Sequence, residues 1–220
     1  KLQDISVPLG HIWGAFVLGI LGGVLGSLFI TVNTYMSFFR KKYSTTTLKR
    51  VLECGLFGFM TITTMTLLVI YTGECQDIPN YKESDVNPEE VLNYNKWTCK
   101  DNQYNPLATL FLNTEAVTIK SLFHSSKYYT IEQKHLFAVM TTWYIFTITT
   151  YGVWIPAGLF LPGIIMGGSM GRFYTVAIQE WKGYVDLDEL EQNTVLGAAA
   201  MLSGYCRLTY SLTVMMLETI

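Results

Sequence analysis

The chain has 220 residues, half of them hydrophobic (50%) and only 15% charged, with a formal net charge of −2. That balance, with no basic stripe, excludes a nucleic-acid binder. The charges gather in Arg40 to Glu53, Glu74 to Lys134 and Arg172 to Glu191, which leaves uncharged stretches long enough to cross a bilayer.

The first stretch, His11 to Phe39, contains no Lys, Arg, Asp or Glu, and residues 12–39 are expected to span. Its glycines Gly19, Gly22, Gly23 and Gly26 form two overlapping small-xxx-small pairs, which predict flat strips where helix backbones touch. A short link follows with Arg40, Lys41, Lys42, Lys49 and Arg50 and no acid before Glu53. The positive-inside rule puts this link in the cytosol. Residues 54–73 are the second expected span, and 74–134 then form a non-cytosolic loop carrying short helices.

That loop holds Cys75 and Cys99, which in an oxidising compartment could pair; two free thiols are the alternative. Cys54 and Cys206 lie in apolar spans and read as packing residues.

From Leu136 to Gly171 there is no Lys, Arg, Asp, Glu or His, a stretch too long for one span. Pro156, Gly158 and Pro162 break it, so residues 136–178 are expected to form two helical pieces joined by Val153 to Gly158. Inside a bilayer such a break is tolerated only where it is buried in protein or lines a cavity. The second piece would start near Leu159 or Phe160, with Pro162 in its first turn, where a missing N–H is harmless. A helix start presents open amides and about half a positive charge, which suits an anion. A Pro/Gly kink that merely lets helices pack fits the same residues.

Gly163, Gly167 and Gly171 recur every four residues and read as a packing strip. Residues 194–217 are expected to form two short or inclined helices, with Met215 and Met216 facing lipid or core. Tyr144, Phe146 and Tyr151 read the same way. Glu218 reads as a capped or interface-facing acid, with a proton site as the alternative.

Gly167-Gly-Ser169-Met-Gly171 also fits the G-x-S-x-G elbow of serine hydrolases. Against a membrane-embedded hydrolase, His11, His124 and His135 all precede Ser169, and the motif lies in an uncharged helical run. No histidine or cysteine pair has metal-ligand spacing. The chain starts at Lys1 without a signal-peptide pattern and reaches Ile220 within an apolar helix, so it is expected to be a portion of a larger protein.

Gly158-Leu-Phe-Leu-Pro162, followed by Gly167-Gly-Ser-Met-Gly-Arg172, resembles the GxFxP signature and following helix of the CLC chloride channels and chloride/proton exchangers. Leu196-Gly-Ala-Ala-Ala-Met-Leu-Ser-Gly204 and Arg207-Leu-Thr-Tyr-Ser-Leu-Thr-Val-Met-Met-Leu-Glu218 are similar to that family's next two helices. Gly19-x-x-Gly-Gly-x-x-Gly26, with Phe29 and Asn33, resembles the helix that opens the second half of the CLC fold. Cys99-x-x-x-x-Tyr-Asn105, Leu112-Asn-Thr114 and Ser121-Leu-Phe-His124 resemble the intracellular lysosomal, late-endosomal and plant vacuolar branch.

The resemblance implies an all-α polytopic membrane bundle, the C-terminal half of a CLC-type transmembrane domain with broken helices and inverted repeats. It implies transport of chloride or nitrate by a non-enzyme, with no cofactor beyond the transported ion. The site residues it implies are the backbone amides of Leu159 and Phe160 as anion contacts, Gly158 for close approach, and Pro162 for fixing the helix start. A homodimer is implied, with Leu208 to Leu217 near its interface, in the membrane of an intracellular vesicle, lysosome or vacuole. An accessory subunit at the non-cytosolic loop and a nucleotide at cytosolic CBS domains beyond these residues complete the expectation. The family's gating glutamate, proton glutamate, GSGIP-type motif and pore tyrosine have no counterpart here. The expectation therefore covers channel and proton-coupled exchanger alike, with a non-transporting accessory subunit as the alternative.

Overall fold

The computed structural model describes residues 9–77, 95–100, 103–123, 131–182, 187–207, 210, 211 and 214, without the side chains of 9–11, 182, 187 and 188. The described residues are all-helical apart from one two-residue ladder. The helices are α1 (Leu9–Tyr43), α2 (Thr47–Thr72), α3 (Pro106–Phe111), α4 (Glu115–Phe123), α5 (Gln133–Thr150), α6 (Phe160–Lys182) and α7 (Leu187–Cys206), with β1 (Gln76–Asp77) antiparallel to β2 (Gln103–Tyr104). Outside the described residues lie most of the helix expected at 208–217, together with Met215, Met216, Glu218, His124 and the His11 side chain.

Helix ends differ from the expected spans for one physical reason: hydropathy marks the apolar part of a helix and misses its charged turns. Helix α1 runs past Phe39 through Arg40, Lys41 and Lys42, so at about 1.5 Å per residue its 35 residues reach about 50 Å. Helix α2 begins at Thr47, ahead of the expected 54, and includes Lys49, Arg50 and Glu53. Helix α7 is one 20-residue helix from Leu187, whereas a short helix from 194 was expected. Among the described residues, two helices, Ile12–Tyr43 and Thr47–Thr72, are long and apolar enough to cross a membrane.

Glycine decides which backbones touch. On α6, Gly167 lies so close to α7 that a methyl there would sit 2.5 Å from the Gly197 carbonyl oxygen and 2.6 Å from the Cα of Ala198. Gly163 faces Leu202 and Tyr205, and Gly171 faces Asn193 and Thr194, so α6 and α7 are antiparallel. Helix α1 lies parallel to α7, with Gly14 against Asn193, Gly22 against Ala200 and Gly26 against Gly204. Of the two small-residue pairs on α1, only Gly22 and Gly26 are packed, because Gly19 and Gly23 have open space around them. Helices α1, α6 and α7 thus form the tight part of the bundle, and α2 leaves Leu52, Leu56, Phe59 and Ile62 exposed.

The far end of the bundle is built from the loop. Cys75 and Cys99 are joined in a disulfide, with Cα atoms 5.7 Å apart, beside the β1–β2 ladder. Asn105 caps α3, its Oδ1 accepting from the amides of Leu107 (3.0 Å) and Ala108 (3.2 Å), with Pro106 at the first helical position. All six residues of α3 are buried. Arg172 on α6 reaches the carbonyl end of α4, Nη1 donating to Leu122 O at 2.8 Å and Ser121 O at 3.3 Å. On the surface of this end Lys134 pairs with Glu74 (2.7 Å) and Glu132 (2.8 Å). His135, expected near a polar boundary, is buried to 1% exposure.

Candidate functional site

Two helix ends meet at the break. Helix α5 stops at Thr150, where its last carbonyls lose their intrahelical partners. Side chains from α1 replace them. Asn33 Nδ2 donates to Ile148 O (3.2 Å) and Tyr151 O (2.9 Å). Arg40 Nη1 donates to Tyr151 O at 2.9 Å, and Nη2 donates to Thr149 O. A cation here also complements the negative end of the helix dipole. Arg40 is only 5% exposed, and its Nε is bound to Glu53 Oε1 of α2 at 2.8 Å.

Beyond Thr150 the chain turns through Gly152, whose φ of +90° favours glycine. Arg50 stacks on Trp154 at 3.6 Å from the ring centroid, tying the basic link to the turn. The link thus does more than bear charge: Arg40 and Arg50 both engage the segment between α5 and α6. The irregular segment runs from Tyr151 to Leu159, slightly longer than the Val153 to Gly158 expected.

Helix α6 then starts at Phe160, with Leu159 in the capping position and Pro162 as its third residue. The Leu159 carbonyl accepts the first intrahelical bond, from Gly163 N at 3.1 Å. It also accepts from the Tyr205 hydroxyl of α7 at 2.6 Å. Nothing comparable meets the amides. Among the described residues, none accepts a hydrogen bond from Leu159 N, Phe160 N or Leu161 N, and Pro162 has no N–H to offer. Leu161 therefore joins Leu159 and Phe160 as an open donor that the sequence reading did not single out.

Gly158, Leu159 and Pro162 border an open pocket of about 250 Å³, also lined by Thr61 of α2 and by Trp143 and Thr147 of α5. No Lys, Arg, Asp, Glu or His lines it. A methyl at Gly158 would meet nothing within 4 Å, so the backbone there is bare on the side where a Cβ would stand. Open amides and the positive end of a helix are the groups that complement negative charge in general.

The structure separates the remaining sequence candidates from this site. Ser169 is fully buried in the middle of α6, its hydroxyl donating to Ile165 O at 2.7 Å. A nucleophile elbow requires a strand-to-helix turn, and Ser169 sits in a continuous helix. Cys75 and Cys99 lie at the opposite end of α5 from the break, near Glu132 and Lys134. Sequence reasoning missed Arg40 as a helix cap and Tyr205 as a contact to Leu159. The only signal for Arg40 was its position as the first charge after a long uncharged run, followed 13 residues later by Glu53.

The whole chain, residues 1–220, matches the family model described as voltage gated chloride channel. The chain belongs to the voltage-gated chloride channel family. Among curated relatives, the H(+)/Cl(-) exchange transporter 7 of Homo sapiens is 30% identical over 202 residues, covering 91% of this chain and 24% of the relative. Chloride channel protein CLC-d of Arabidopsis thaliana is 30% identical over 210 residues, covering 92% and 26%. Chloride channel protein C of Dictyostelium discoideum is 27% identical over 212 residues, covering 91% and 26%. The chain spans about a quarter of the length of the curated relatives it matches. In family terms the open amides at Leu159 and Phe160 stand at the GxFxP signature.

Proposed function

We propose that this chain forms one wall of an anion path and that the protein it belongs to carries chloride or nitrate across a membrane, as a channel or an anion/proton exchanger rather than an enzyme. One observation carries the reading: three open amides at Leu159, Phe160 and Leu161, at a helix start whose Gly158, Leu159 and Pro162 border a pocket without fixed charge. Partial charges hold an ion while letting it leave, which conduction requires. The relatives' names, an H(+)/Cl(-) exchange transporter and chloride channel proteins, support the ion and both modes of transport.

The wider reading follows the same family. Chain direction supports a multi-pass arrangement: Arg40 at one end of α5 carries the basic link to the cytosol, and the disulfide at the other end belongs in an oxidising lumen. The protein works as a homodimer in a vesicle, lysosome or vacuole membrane, with the loop open to an accessory subunit.

Anion flux through liposomes containing the full-length protein tests the proposal, with Gly158→Val and Leu159→Met as variants and Ser169→Ala as a control. A Cβ at Gly158 would meet no neighbour within 4 Å, so Gly158→Val should fold, and its branched side chain should obstruct close approach to the backbone. Flux should fall more than tenfold in Gly158→Val and stay within about twofold in Leu159→Met, where volume is conserved. Ser169→Ala should keep its flux. A wild-type dimer that folds and carries no anion would mean an accessory subunit.

A further inference from the structure

The Leu159 carbonyl and the Phe160 N–H belong to one peptide unit, and that unit is held from α7. We infer that Tyr205 is a positioning residue for the anion: by donating its hydroxyl to Leu159 O it aims and polarises the open Phe160 amide. The inference rests on the anion reading proposed above.

The geometry supplies the reason. A trans peptide is planar, with C=O and N–H pointing in opposite directions, and no cis bond occurs among the described residues. Whatever fixes the carbonyl therefore fixes the amide. A carbonyl oxygen can accept two hydrogen bonds, and here both places are taken, by Gly163 N at 3.1 Å and by the Tyr205 hydroxyl at 2.6 Å. The second bond comes from another helix, so it locks the first peptide of α6 against rotation. It also draws electron density toward oxygen, which makes the N–H a stronger donor by the cooperativity of hydrogen-bond chains.

The neighbourhood is shaped for this hydroxyl. Gly163 leaves the space in which it sits: a methyl there would overlap the hydroxyl oxygen and lie 2.8 Å from the Tyr205 ring carbon that bears it. On its other side the Tyr205 ring is stacked at 5.2 Å against Phe29 of α1, itself edged by Tyr144 (6.4 Å) and Tyr151 (6.3 Å). Tyr205 as a whole is only 7% exposed. Three helices thus aim one phenol at one carbonyl. Neither Tyr205 nor Gly163 needs to touch the anion.

Tyr205→Phe in the full-length protein removes the hydroxyl and keeps the ring against Phe29. The measurement is the chloride concentration that gives half-maximal flux in liposomes, read together with the thermal midpoint of the dimer. Half-saturation should rise about three- to tenfold, the worth of one hydrogen bond, at an amount of folded dimer that accounts for the remaining signal. A merely structural tyrosine would change the midpoint and leave half-saturation where it was. Replacing Tyr205 with 3,5-difluorotyrosine keeps the shape and makes the hydroxyl a stronger donor, so half-saturation should fall. Unchanged half-saturation in Tyr205→Phe overturns the inference, and if that variant does not fold, unchanged half-saturation with difluorotyrosine overturns it. Wild-type protein that carries no anion instead sinks the anion reading, so the two failures are distinct.

Discussion

The two helix ends at the break receive opposite treatment. At the carbonyl end of α5, Asn33 and Arg40 meet Ile148, Thr149 and Tyr151, while at the amide end of α6, Leu159, Phe160 and Leu161 are left open. Both ends are equally able to hold an ion, because each presents about half a unit charge and unsatisfied groups. Saturating only the carbonyls leaves only the amides free to meet an ion. On the proposed reading the break would favour anions, and α1 would contribute to that preference as much as the GLFLP segment itself.

The comparison breaks most sharply at Arg40. Arg40→Gln removes the cation that caps α5 and strands Glu53, so a loss of about 3–5 kcal/mol is expected. Fluorescence-detected size exclusion after graded heating would show it as early aggregation. The double variant Arg40→Gln/Glu53→Gln should recover part of that loss, and failure to recover would mean the pair is not coupled.

A control lies at the other end of α5. Cys99→Ser opens a crosslink between residues 24 apart, which is worth about 3 kcal/mol to the loop. Limited proteolysis should become faster between 77 and 103, with half-saturation for chloride unchanged. A shift in half-saturation would join the loop to the path and weaken the view of two independent regions.

Smaller effects test the turn. Gly152→Ala forces a side chain into φ +90°, expected to cost about 1 kcal/mol with little change in flux, since the added methyl meets Arg40 Nη1 and Ser37 Oγ only at 3.4 Å. A large loss of flux without loss of stability would place the turn in the path.

The least effect concerns pH at the disulfide end. The Lys134 hydrogen bond holds the Glu132 carboxyl below its ordinary value of 4.5. A depressed carboxyl contributes stability above its unfolded value, and that contribution is lost as pH falls through the folded one. Both groups are solvent-exposed, so Glu132→Gln should flatten the acid limb of a stability profile only slightly. A steep change would require a second acid-sensitive group there.

Legibility followed the range of the interactions. Pro156, Gly158 and Pro162 within an uncharged run announced the break, because a helix stop is a local event. Gly163, Gly167 and Gly171 announced a packing strip by their spacing, and each does face α7. Spacing alone could not say that Gly22 and Gly26 pack while Gly19 and Gly23 stay open, since that depends on where α7 lies. Acidic residues at 188, 189 and 191 hid the first turns of α7 from a hydropathy reading. Arg40 was legible only as a charge on a link, because the carbonyls it caps lie more than 100 residues away. Tyr205 carried no motif, and its partner stands 46 residues earlier on another helix.

The central claim is that an anion binds at the amide end of the break and no ion binds at the carbonyl end, where Asn33 and Arg40 take the carbonyls. Bromide replaces chloride and scatters anomalously, so crystals or grids of the full-length protein in bromide test it directly. The account predicts an ion against the amides of Leu159 and Phe160, beside the bare backbone of Gly158. Bromide bound elsewhere in the subunit with none at these amides, or a cation held by the carbonyls of Thr149 and Tyr151 in place of Arg40, would contradict it.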